Sequence, residues 1–61
     1  MFIKFVDLTS NMEFWVNPEH VTRVYQKSKN LNVSIIALDD TEFLEVSGTP
    51  EEIIKQLSAD A

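Results

Sequence analysis

The chain has 61 residues, of which 44% are hydrophobic and 25% charged, and it contains no cysteine. This length predicts a single domain, residues 1–61, and excludes two domains. The formal net charge of −5 argues against a protein that coats nucleic acid or an anionic membrane, because both need a basic surface. No apolar run is long enough to insert into a membrane, and no signal-peptide pattern is present, so we expect a cytoplasmic protein.

A single copy of so short a chain is expected to be only marginally stable. Folding buries about 60% of the surface of the unfolded chain, and the apolar part of that burial contributes ~85–90 kcal/mol. Ordering all the residues costs ~90 kcal/mol. Without cysteine, neither a disulfide nor a zinc–thiolate site can add stability. Self-association is therefore the expected source of further stability.

The first part of the chain predicts a β-hairpin followed by one helical turn. Residues 2–8 and 13–16 are rich in strand formers, and Ser10-Asn11 provides turn residues between them. Asn17 and Pro18 are typical of the start of one turn of α- or 3₁₀-helix. The spacing of Val21 and Val24 is helical, whereas a strand is favoured from Val24 onward. We therefore expect the helical part to end within residues 21–24.

The second part predicts a hairpin and a C-terminal helix. After a polar turn at residues 27–32, residues 33–38 form the strongest predicted strand, and residues 41–46 pair back across a turn at Asp39-Asp40. Thr49, followed by Pro50 and by Glu52 three positions on, is a capping box that starts a helix. Its predicted apolar stripe consists of Ile53, Ile54 and Leu57. The expected fold is α+β: a small antiparallel β-sheet of four to five strands with one C-terminal α-helix packed on one face.

Alternation along the strands gives this sheet two apolar faces. The face toward the helix is predicted to carry Ile3, Phe5, Phe14, Val16, Val24, Ile36, Leu38, Leu44 and Val46. The opposite face is predicted to carry Phe2, Val6, Trp15, Tyr25, Val33, Ile35, Ala37 and Phe43. One short helix cannot cover both, so we expect a homo-oligomer. The candidate interface residues are Phe2, Val6, Trp15, Val33, Ile35 and Phe43. The alternative is a strongly curled sheet that buries the second face within one chain.

No pattern of residues predicts catalysis, a cofactor or a metal. His20 is the single histidine, and a metal site needs about three ligands. The acidic run that begins at Asp39 lacks the spacing of a calcium loop, and the chain's one glycine cannot form a glycine-rich phosphate loop. We therefore expect a protein that is not an enzyme and has no cofactor.

A cationic stripe is the one pattern that suggests a ligand. Arg23, Tyr25, Lys27 and Lys29 recur at spacing two, so an extended backbone would project them from one face. Trp15 would join them if its strand were a neighbour. Cations alternating with aromatic rings are typical of sites that bind nucleotides or single strands. The alternative, which the acidic net charge favours, is an edge strand whose lysines prevent unwanted pairing.

These segments together resemble the FlbD-type (SwrD) family of short bacterial flagellar proteins. The resemblance spans residues 1–57 and includes Val16-Asn17-Pro18, Leu38-Asp39-Asp40 and the helix start Pro50-Glu51-Glu52-Ile53-Ile54. Two features depart from the family pattern: Met12 and Thr41 replace hairpin glycines, and the connection at residues 26–32 is longer.

Two functions from different classes follow. The resemblance implies a small homo-oligomeric regulatory protein, FlbD-like, that acts by protein–protein binding. The alternative is a small module of phage or mobile-element origin, either a nucleotide-binding oligomer with Arg23, Tyr25, Lys27 and Trp15 at its site, or an acidic mimic of nucleic acid.

Overall fold

Five strands and one helix follow one another in the computed structural model, which describes residues 1–29, 32–39 and 41–58. The predicted α+β class, with antiparallel strands and a C-terminal helix, is confirmed. The elements are β1 (Ile3–Asp7), β2 (Met12–Val16), a 3₁₀ turn (Pro18–His20), β3 (Val21–Gln26), β4 (Val33–Leu38), β5 (Phe43–Ser47) and α1 (Pro50–Leu57).

The strands form two antiparallel sheets, β1-β2 and β3-β4-β5, where the sequence predicted one. The two sheets meet at the end of β1. There the Leu8 N–H donates to the Glu45 carbonyl oxygen at 2.7 Å, and the Glu45 N–H donates to Asp7 Oδ1 at 3.1 Å. A side-chain carboxylate thus takes the hydrogen bond that the backbone of a continuing strand would accept.

The hydrophobic core lies between the inward faces of the two sheets and α1. All nine residues predicted for the helix-facing side belong to this core or pack against it. Ile36, Val46 and Ile53 are at most 1% exposed. The inward faces of the two sheets and α1 together enclose this core, and the opposite faces of the sheets are directed outward.

The prediction that the helical part ends within residues 21–24 is wrong. Asn17 Oδ1 accepts from the Glu19 N–H at 3.1 Å and Pro18 follows, as expected, but the 3₁₀ turn ends at His20. Val21 already pairs with Leu38 in β3. A β-bulge between Val21 and Arg23 shifts the alternation, so that Val21 and Val24 both pack against the core. The apparently helical spacing is the spacing of a bulged strand.

The capping box of α1 is present. Thr49 Oγ1 accepts from the Glu52 N–H at 3.2 Å, and Glu52 Oε1 accepts from the Thr49 N–H at 2.9 Å. Ile53 is buried and Leu57 packs against the core, but Ile54, predicted for the same stripe, is half exposed. The stripe is narrower than expected because Ile53 and Leu57 lie one turn apart, while Ile54 points about 100° away from Ile53 around the helix axis.

Among the residues that the structure describes, three non-glycine turn positions adopt a left-handed conformation: Asn11, Ser28 and Thr41. Asn11 lies in the predicted first turn. In the second hairpin the positive φ is at Thr41, 71°, one of the positions where the resembling family has glycine. Asp40, predicted to form that turn with Asp39, lies outside the described residues, as do Asn30 and Leu31 of the polar turn.

Candidate interaction surface and groove

The outward face of the three-stranded sheet alternates charged and apolar side chains. Across the sheet, Arg23 pairs with Ala37 and Ala37 with Phe43. In the next outward row, Tyr25 pairs with Ile35 and Ile35 with Glu45. The outward direction predicted for all these residues follows from the pairing register.

The apolar residues predicted to face outward on the two sheets differ in exposure. Phe2, Trp15 and Phe43 are 64%, 59% and 57% exposed, and Val6 is also exposed. Val33 and Ile35 are only half buried by their neighbours, whereas Ala37 is 2% exposed. Ala37 is thus not an accessible part of the face, because its short side chain lies between the longer ones of Arg23 and Phe43. These side chains, from Phe2, Val6, Trp15, Tyr25, Val33, Ile35 and Phe43, are called the outward apolar surface below.

Trp15 lies on a different sheet from Tyr25. Within the part of the chain that the structure describes, β2 hydrogen-bonds to β1, and Trp15 of β2 pairs with Lys4 of β1. Beside this pair, Lys4 Nζ lies 3.3 Å from Glu13 Oε2, which places an exposed ion pair next to the indole ring. The condition under which Trp15 would join the cationic stripe, a β2-β3 pairing, is therefore not met.

The cationic stripe is only partly available to a ligand. The Arg23 guanidinium carbon lies 5.8 Å from the centre of the Tyr25 ring, within the range of a cation–π contact. Lys27 Nζ, however, lies 2.5 Å from Glu45 Oε2, so an internal carboxylate already balances its charge. Lys29 lies in the turn beyond the end of β3 rather than on the strand. The structure therefore brings Arg23 and Tyr25 together as predicted and directs Lys27 toward Glu45.

Glu45 also connects the two sheets through its side chain. Its Oε1 accepts from Thr9 Oγ1 at 3.4 Å. Asp7, which accepts from the Glu45 N–H, also accepts from Ser10 Oγ at 2.8 Å and from the Ser10 N–H at 3.2 Å. These hydrogen bonds, the one from the Glu45 backbone first, lower the pKa of Asp7 below its ordinary value, because they stabilise the carboxylate form.

A groove of about 390 Å³ opens between the end of β2 and the β4-β5 hairpin. The walls combine core side chains with polar side chains of the turns: Phe14, Trp15, Val16, Asn17, His20, Leu38, Asp39, Glu42 and Leu44. His20 Nδ1 lies 2.8 Å from Asp39 Oδ2 across the mouth. Reasoning from the sequence did not predict this groove, because its walls come from segments about twenty residues apart. The one available signal was the pair of polar turns at 17–20 and 39–42.

The structure provides no indication of a metal centre: within residues 1–29, 32–39 and 41–58, no three His, Cys, Asp or Glu side chains come together in a way that could hold an ion. In the same part of the chain, no helix is long and apolar enough to cross a membrane. Comparisons of the chain with protein-family models, with curated proteins and with solved structures found no match.

Proposed function

We propose that this chain is a small homo-oligomeric protein without enzymatic activity that acts in the cytoplasm by binding other proteins. The observation that carries the proposal is the exposure of Phe2 and Phe43, each more than half accessible on the outward apolar surface. Aromatic side chains are enriched where protein interfaces form and are common hot spots within them.

The exposed area fits contact with a second copy of the chain. A fully buried aromatic side chain removes about 150–250 Å² from water. The rings of Phe2, next to β1, and Phe43, on β5, therefore offer roughly 180–300 Å² per copy, about a third of the ~800 Å² that each partner contributes to a standard interface. The half-buried Val33 and Ile35 and the ring of Tyr25 extend this area. Burial of this surface would also provide the stability that so short a chain lacks.

The resemblance to FlbD-type proteins supports the same class of function, since it implies a regulatory protein that acts through protein contacts. The nucleotide-binding alternative draws support from the Arg23–Tyr25 contact. The ion pair between Lys27 and Glu45 weakens that alternative, because a phosphate group would have to compete with an internal carboxylate for Lys27.

The oligomeric state tests the proposal. Multi-angle scattering across micromolar concentrations should give a mass that is a multiple of 7.0 kDa. Phe43→Asp should shift the protein toward smaller species, because a carboxylate in an apolar interface costs binding free energy. Ile54→Asp is a matched control: Ile54 is half exposed on α1 and lies outside the outward apolar surface. A mass of one chain at every concentration, with a folded circular-dichroism spectrum, would refute the homo-oligomer.

A further inference from the structure

We propose that the groove between β2 and the β4-β5 hairpin binds an arginine side chain of a partner protein. This inference builds on the proposed protein-binding function and names the chemistry of the partner. It is carried by three properties of the groove: its apolar floor, the indole ring at its wall and the sign of the charge at its mouth.

The floor suits the methylene stem of a long side chain. Phe14 and Leu38 are half buried, and Leu44 is a core residue that also lines the groove. Side chains of arginine and lysine place such stems along apolar surfaces and keep the charged end in a polar setting. A volume of about 390 Å³ falls within the range of about 300–1,000 Å³ that ligand pockets span.

The wall presents an aromatic ring to the charged end. Trp15 lines the groove and is 59% exposed, so its ring is accessible to a ligand. Tryptophan is the best cation–π partner among the aromatic residues, and the planar guanidinium group of arginine stacks on aromatic faces as well as carrying charge.

The charge at the mouth selects a cation. Two of the lining residues, Asp39 and Glu42, carry carboxylates, and none of the lining residues is lysine or arginine. His20 is the one lining residue that can become cationic, and its Nδ1 lies 2.8 Å from Asp39 Oδ2, so an entering guanidinium group has to share the Asp39 carboxylate with the imidazole. A phosphate or carboxylate ligand would be repelled here, while a guanidinium group can donate paired hydrogen bonds to a carboxylate. The net charge of −5 adds a long-range attraction for basic segments.

The experiment titrates the full chain with the blocked peptide acetyl-Gly-Arg-Gly-amide and, in parallel, with the same peptide containing citrulline, the neutral isostere of arginine. Binding is followed at low salt by the fluorescence of the single tryptophan, Trp15, and by NMR shifts of Leu38 and Leu44. We expect a saturable response to the arginine peptide, at least tenfold weaker binding of the citrulline peptide, and a loss of affinity as salt screens the charges.

Two variants and a control locate the site. The double variant Asp39→Asn/Glu42→Gln should bind the arginine peptide at least tenfold more weakly, and so should Trp15→Ala, read by NMR. Glu51→Gln removes an exposed carboxylate from the helix, outside the groove, and should bind like the parent protein. Thermal melts confirm that each variant is folded. Equal binding of both peptides, no saturable response at millimolar peptide, or an equal loss in Glu51→Gln would overturn the proposal.

The same samples give the oligomeric state, so the two proposals can fail separately. A well-formed oligomer that does not distinguish arginine from citrulline refutes the groove site and leaves the homo-oligomer in place. A monomer that binds the arginine peptide refutes the homo-oligomer and supports the groove as the protein-binding site.

Discussion

The capping box of α1 allows a quantitative test of how much the helix contributes to stability. Thr49→Ala removes the hydroxyl that accepts from the Glu52 N–H at 3.2 Å, and it leaves that N–H without its partner at the start of the helix. Loss of an N-cap costs about 1 kcal/mol. For a domain of this size, 1 kcal/mol lowers the melting temperature by about 4–8 °C. The effect should extend to the core, because the residues next along the helix include the buried Ile53.

The measurement is thermal unfolding followed by far-ultraviolet circular dichroism, with urea unfolding as an independent value of the free energy. Thr49→Ser is the matched control, since serine supplies the same hydroxyl at the same position and should melt close to the parent protein. All samples are compared at one protein concentration, because association stabilises the folded state by mass action. If Thr49→Ala melts at the same temperature as Thr49→Ser, the cap contributes nothing measurable and the reasoning is wrong.

Three further predictions follow from the contacts described above. Asp7 has a lowered pKa in the folded chain, so its hydrogen bonds stabilise the fold above the ordinary aspartate pKa of 3.8, and this stabilisation is lost as the pH falls through the native pKa. The free energy of unfolding in urea should therefore depend less on pH in this window for Asp7→Asn than for the parent protein. The control Glu51→Gln should keep the steeper dependence of the parent. Gly48 has φ +122°, and a Cβ there would lie 3.2 Å from Glu52 Oε1. Gly48→Ala should therefore lower the free energy of unfolding by about 1 kcal/mol or more in the same assay. An unchanged free energy of unfolding would contradict the argument from backbone strain. Calorimetry with mono-, di- and cyclic nucleotides at low salt should give no binding heat, since Lys27 is paired with Glu45; heat that disappears in Arg23→Ala would instead support the nucleotide-binding alternative.

Much of the fold could be predicted from the sequence because its signals are local. The strand β4 has the predicted bounds, and the capping box and the Asn17-Pro18 turn form as expected. Alternation was enough to assign the inward-facing strand residues except Val21, since neighbouring side chains of a strand point to opposite faces and only the bulge in β3 breaks this pattern.

The errors arose where one pattern is compatible with two local structures. The spacing of Val21 and Val24 suits a helix as well as a bulged strand, and only the pairing of Val21 with Leu38 decides between them. Ile54 has the same apolar character as Ile53, but the packing of α1 on the three-stranded sheet determines which of them is buried.

The candidate sites depend more strongly on tertiary structure. Sequence placed Arg23 and Tyr25 on one face, because both lie on the same strand. It could not show that Lys27 reaches Glu45, two strands away, or that Trp15 belongs to the other sheet. The groove depends on long-range contacts throughout, since β2 and the β4-β5 hairpin meet only when the chain has folded.

The sequence by itself determined most of the secondary structure, the inward face of each strand away from the bulge in β3, and the excess of apolar side chains over what one short helix can cover. These properties depend on backbone propensities, capping and alternation, which act over a few residues. Tertiary structure decided that the strands divide into two sheets, which meet where the Asp7 carboxylate accepts from the Glu45 N–H. It also decided which apolar residues remain exposed, since the burial of a side chain such as Ala37 or Phe43 depends on neighbours that are distant in the chain.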